Sequence, residues 1–188
     1  MNIGRAMMSG GKSLIVLAPF AIISIWFIFT LFSGPSPSGA ITKFFITVVE
    51  VGELEQQGVT FSDIAKDLFT MAAWINIWSL TIVTIFALGW SFGSHYLNVD
   101  APGKAKIYAI HWIIVSGILI GLILITNIYC LESTYFRASQ EVTGSGGGKI
   151  TLILTVYYTL AYYLSVLLGT ARFVRSSVLL ANKLPGNI

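Results

Sequence analysis

Charged residues are scarce in this sequence of 188 residues. Asp, Glu, Lys and Arg make up 10% of it, whereas hydrophobic residues make up 55%. Soluble globular domains carry about 25% charged residues, so the deficit places the chain among integral membrane proteins. The length favours one polytopic membrane domain over residues 1–188. The net charge of +3 is small, and no lysine-rich run indicates nucleic-acid binding.

Residues that bind metals or carry redox chemistry are also rare. Cys130 is the only cysteine, which excludes an internal disulfide and a cage of thiolate ligands. The only histidines are His95 and His111, and they fall near the same end of neighbouring predicted spans. Two imidazoles at similar depth on adjacent helices could ligate one haem b. A haem- or quinone-binding membrane anchor of a respiratory complex is therefore one alternative; otherwise we predict no cofactor and no metal.

Charge is also missing from the middle of every predicted span, where pumps and ion carriers hold their ionisable groups. No Ser–His pair or carboxylate pair with a suitable depth and spacing indicates nucleophilic or acid–base catalysis. We therefore predict that the chain is not an enzyme.

Four long apolar runs are present, at about residues 13–33, 67–97, 107–131 and 150–172. Each has the roughly 20 residues that a helix needs to cross the hydrocarbon core. The sequence thus predicts an all-α integral membrane protein with four transmembrane helices. We expect residues 1–12 to be a flexible basic flank, and a short amphipathic or irregular element between the first two helices, outside the cytoplasm.

Lys and Arg are distributed unequally between the two predicted sides. With the N-terminus inside, the cytoplasmic segments hold seven of these residues and the outer segments hold four. Because short cytoplasmic loops carry an excess of Lys and Arg, this predicts that both termini are cytoplasmic.

The fourth run has one small and polar face. Residues on this face recur at steps of four and three, the spacing that aligns side chains on a helix. Ala161, Ser165 and Gly169 also form a series that lets another helix approach closely. We therefore predict that the fourth helix is the inner one. Its polar face consists of Thr151, Thr155, Tyr158, Tyr162, Ser165, Gly169 and Arg172.

The other spans carry weaker packing signals. Thr81 and Thr84 belong to a second polar face with the same spacing, and Gly117 and Gly121 form a GxxxG motif in the third span. We expect helices two, three and four to form the core and the first to be peripheral. A small channel or transporter is the second alternative, because Thr81, Thr84, Thr155 and Tyr162 could line a water-filled path.

The favoured function is that of a non-catalytic membrane subunit. Packing faces on several helices indicate partners beyond the chain's own bundle. We expect the chain to contact the lipid bilayer and to assemble with other membrane subunits, with copies of itself, or with both. A bacterial inner membrane is the expected location. A secretion or conjugation apparatus is one candidate setting, suggested by the class of protein and by no motif.

Overall fold

The computed structural model describes residues 3–33, 43, 61–95, 104–132 and 140–170, with side chains at 3–33, 43, 69–95, 109–130 and 148–170. These residues form four α-helices. They are α1 (Ile3–Phe32), α2 (Phe61–Gly93), α3 (Lys104–Glu132) and α4 (Gln140–Gly169). The element predicted between the first two helices lies outside the described residues.

All four helices are long and apolar enough to cross a membrane. The shortest of the four apolar segments has 22 residues, which spans about 33 Å at 1.5 Å per residue and exceeds a hydrocarbon core of about 30 Å. The prediction of an all-α protein with four such helices is confirmed.

The helix bounds differ from the predicted spans mainly at the N-terminal ends. Helix α1 begins at Ile3, ten residues before the predicted start, so the expected flexible flank is helical. Helix α4 begins at Gln140, also ten residues early. Glycine pairs normally mark turns, but Gly10 and Gly11 both lie inside α1. Gly10 packs against the ring of Phe92, where a Cβ atom would not fit.

The four helices differ in how much of their surface is buried. Of the most apolar 18-residue window, 56% is buried in α4 and 44% in α2, but only 17% in α1 and in α3. Helix α4 is therefore the inner helix of the described part. Helix α3 is as peripheral as α1, which differs from the expectation that α3 belongs to the core.

The chain forms two compact units, each of which takes a part of every helix. The first unit comprises Met1–Ala21, Thr81–Leu122 and Tyr158–Ile188. The second comprises Ile22–Leu80 and Ile123–Tyr157.

Candidate functional site

The polar face of α4 is buried along its whole described length. Tyr158 and Ser165 have no exposed surface, and Tyr162 is 2% exposed. Ala161 is also fully buried beside them. The face therefore makes its contacts inside the protein rather than with lipid. Arg172, the last member of the predicted series, lies outside the described residues. The described members are Thr151, Thr155, Tyr158, Tyr162, Ser165 and Gly169.

Helices α1, α2 and α4 meet at Gly169 in the first unit. A Cβ atom at Gly169 would overlap Ser91 Oγ and would lie 2.8 Å from Ser13 Cβ and 3.1 Å from Ser91 Cβ. Cβ atoms belong to the rigid part of a side chain, so neither serine can swing away to make room. Only glycine fits at this crossing point.

Serine residues extend the same contact between α1 and α2. The Ser9 hydroxyl donates to the carbonyl oxygen of Ser91 at 3.3 Å, and Ser13 is 1% exposed. A Cβ at Gly10 would lie 2.6 Å from the ring of Phe92. Small residues at one-turn spacing let backbones approach in this way. The small residues at 9–13 are therefore a sequence pattern typical of close helix packing, although the glycine pair suggested a flexible flank.

An indole–hydroxyl pair joins α2 to the end of α4. Trp90 Nε1 donates to Thr170 Oγ1 at 3.1 Å, and the Thr170 hydroxyl donates to the carbonyl oxygen of Val166. Trp90 and Thr170 are both buried. The pair satisfies an indole N–H that would otherwise be costly to bury in an apolar environment.

A side-chain amide joins α3 to α4 in the second unit. Asn127 Nδ2 donates to Thr155 Oγ1 at 2.8 Å, and Asn127 has no exposed surface. Such interhelical bonds fix the register of neighbouring membrane helices. Thr155 therefore takes part in a helix contact of the second unit, whereas Tyr162 lies in the first unit. The residues expected to line a solute path do not share one unit.

Several hydroxyl groups in the first unit are buried without a hydrogen bond of normal geometry, including those of Ser13, Ser91 and Ser165. The Tyr162 hydroxyl lies beside that of Ser116, and neither makes such a bond. An unpaired polar group in hydrocarbon is costly. The first unit is therefore closely packed, although several of its buried hydroxyl groups lack a hydrogen bond of normal geometry.

The buried face of α2 is not the predicted one. Thr81 is exposed and Thr84 is half-buried. A threonine hydroxyl can bond to the carbonyl one turn back, so threonine does not need an inward position. Small residues, one valine and one amide mark the buried face instead. They are Ala72, Asn76, Ser79, Val83, Ala87 and Ser91.

The GxxxG motif of α3 faces away from the described helices. Gly117 is exposed and Gly121 is half-buried, and no atom of the described residues lies within 4 Å of a Cβ placed at either position. The packed face of α3 is formed by other residues, Leu119 and Ile123 among them. The motif therefore makes no close helix contact with the described part of the chain.

A second open GxxxG pair, Gly89 and Gly93, lies at the end of α2 and was missed in the sequence. No atom lies within 4 Å of a Cβ at either position. This pair is in the last turn of its apolar segment, whereas Gly117 and Gly121 lie in the middle of theirs. Of these two pairs, only the α3 pair lies in the middle of its apolar segment.

The two histidines differ in their surroundings. His111 is exposed on α3, whereas His95 is half-buried just beyond the end of α2. Burial lowers the pKa of His95 below its usual 6.5, and the Arg5 guanidinium lowers the pKa further. Both effects disfavour the charged imidazolium. His95 is therefore neutral at pH 7.

We expect acidification to destabilise the first unit through His95. The free energy of unfolding should be constant well above pH 6.5 and should decrease as the pH falls below that value, because the unfolded chain then binds a proton that the folded chain resists. The decrease ends at the lowered pKa of the folded state. Thermal unfolding of detergent-dispersed protein at about pH 8 and about pH 5.5 measures it. A His95→Gln variant should lose this pH dependence; an unchanged dependence would refute the assignment.

Among the residues with described positions, no group of three or more His, Cys, Asp or Glu side chains could hold a metal ion. No protein-family model, curated protein or solved structure matches the chain.

Proposed function

We propose that the chain is a non-catalytic integral membrane subunit that assembles with other membrane subunits or with copies of itself. The open face of α3, which consists of Ile110, Ile113, Ile114, Gly117 and Gly121, is the surface that a neighbouring helix covers. The single observation that carries the proposal is the open space around both glycines.

The energetics of glycine support this proposal. Each glycine inside a helix costs about 1 kcal/mol relative to alanine. That cost is offset only where another helix uses the missing side chain to approach closely. The described part of the chain provides such a helix at Gly169 but not at Gly117 or Gly121. A helix from another molecule would provide it.

The isoleucine residues beside the glycine pair suit contact with the same neighbouring helix. Ile110, Ile113 and Ile114 are more than half exposed, and they lie on the glycine side of α3 one to two turns away. A transmembrane helix could pack its side chains over this ridge and reach the backbone at the glycines.

The orientation and location are part of the proposal. The excess of Lys and Arg, seven against four, supports cytoplasmic N- and C-termini. The segment between α1 and α2 would then lie outside the cytoplasm. A bacterial inner membrane is the location we propose.

Photo-crosslinking in the membranes of cells that produce the protein tests the proposal. A benzophenone amino acid replaces Ile114 on the open face of α3 in one variant. In a control variant it replaces Phe29, which is 69% exposed on α1. We expect protein adducts from position 114 and mainly lipid adducts from position 29. Lipid adducts alone from position 114 would refute the use of this face.

A further inference from the structure

An apolar groove lies in the second unit between α1 and α4, with a volume of about 180 Å³. It is open on one side, and its walls are formed by Ile23, Phe27, Ile150, Ile153, Leu154 and Tyr157. An apolar cavity of about 150 Å³ is enough to bind benzene. The groove can therefore hold a segment of a hydrocarbon chain.

Two polar residues, Ser24 and Asn76, also line the groove. Asn76 Nδ2 donates to the carbonyl oxygen of Ala72 at 2.8 Å. A hydrogen bond joins the hydroxyls of Tyr157 and Ser24. The groove surface is consequently almost entirely carbon, so a ligand that presents donors or acceptors would gain nothing there.

The groove extends inward from one end of the apolar segment of α4. In the sequence, the apolar run of α4 begins directly after Lys149, and the groove residues on α4 run from Ile150 to Tyr157. The seven steps from Ile150 to Tyr157 correspond to about 10 Å along a helix. One leaflet contributes about 15 Å to the hydrocarbon core, so the groove covers most of the depth of one leaflet.

A lysine directly precedes the groove residues of α4 along the chain. Lys149 is exposed, and it is one turn before Ile153 on the same face of α4. Helical side chains point towards the N-terminus, which for Lys149 is the direction of the membrane surface. A lysine in this position places its ammonium group among lipid headgroups while its stem remains in contact with apolar surface.

We propose that the groove binds one acyl chain of an anionic phospholipid whose phosphate contacts Lys149. The groove supplies the apolar contact, and the ammonium group supplies the charge complementarity. This site is separate from the open face of α3 and does not depend on assembly through that face.

Native mass spectrometry of the delipidated protein tests the site. Phosphatidylglycerol and phosphatidylcholine with identical acyl chains are titrated in parallel. We expect one phosphatidylglycerol per chain, retained about fivefold more strongly than phosphatidylcholine, the effect of one lysine near anionic lipid. Lys149→Gln should remove this preference but leave binding of phosphatidylcholine unchanged.

Three tryptophan variants separate the groove from the general lipid surface. Ile153→Trp fills the groove from α4 and Ile23→Trp fills it from α1, and each should abolish retention of both lipids. Leu152→Trp is the matched control, because Leu152 is 64% exposed and does not line the groove. Helical circular dichroism establishes that each variant is folded.

Any of the following results would overturn the proposal. One is the absence of a retained lipid on the wild-type chain. Another is an undiminished preference for phosphatidylglycerol in Lys149→Gln. The third is undiminished lipid retention in both folded groove variants, or displacement of the lipid by a protein partner that occupies the groove.

Discussion

Replacing Gly169 by alanine is expected to lower the free energy of unfolding by about 1–3 kcal/mol, the usual cost of overpacking a dense core. The new methyl group would overlap Ser91 Oγ and lie within 3.1 Å of two serine Cβ atoms. Rotation of Ser91 relieves only the first contact. The helices must therefore move apart, which weakens the contact among α1, α2 and α4.

Gly117→Ala is the matched control for this experiment. A Cβ at Gly117 meets no atom within 4 Å, so the change should be neutral or should stabilise the helix by up to about 1 kcal/mol. Reversible unfolding of both variants in detergent measures the difference. Ser91→Gly in the Gly169→Ala background should restore part of the lost stability. Equal stability of the two alanine variants would show that the crossing at Gly169 is not close-packed.

The second large effect is expected on assembly. A variant with isoleucine at both Gly117 and Gly121 should lower the yield of protein adducts from position 114 by at least about tenfold, a change of about 1.4 kcal/mol in association. Two branched side chains on the open face of α3 keep a neighbouring helix away from the backbone. Because both positions have open space in the described part of the chain, the fold itself should be unaffected.

The α2 pair provides the matched control for the double variant. Gly89 and Gly93 also have open space around them, so isoleucine at both positions changes the same number of atoms on another helix. We expect this variant to keep its adducts. Loss of adducts in the α2 variant, with retention in the α3 variant, would assign assembly to α2 instead.

How well the sequence predicts each helix depends on the kind of residue that marks its packed face. In α4, small residues and tyrosines recur on one face, and this face is buried over its described length. In α2, threonines suggested a face that includes Thr81, which is exposed. Because a threonine hydroxyl can bond within its own helix, threonine is a weaker marker of an inward face than Ala72 or Asn76.

The GxxxG motif shows a second reason why helix contacts are hard to predict from sequence. It identifies a surface suited to close helix packing but does not specify whether the partner belongs to the same chain. Gly117 and Gly121 were expected to contribute to the core, and the structure instead leaves their surroundings open. Gly10 shows the opposite error. It was expected to lie in a flexible segment, but it packs against Phe92. The apolar groove could not be predicted from the sequence, because its residues come from helices that are distant along the chain.

The native mass of the wild-type protein after gentle extraction tests the central claim most directly. One chain has a mass of 20.5 kDa. A membrane subunit that assembles through the open face of α3 should appear at a multiple of this mass, or at this mass plus that of other proteins. A species of 20.5 kDa that carries only lipid, under conditions that preserve membrane complexes, would contradict the account.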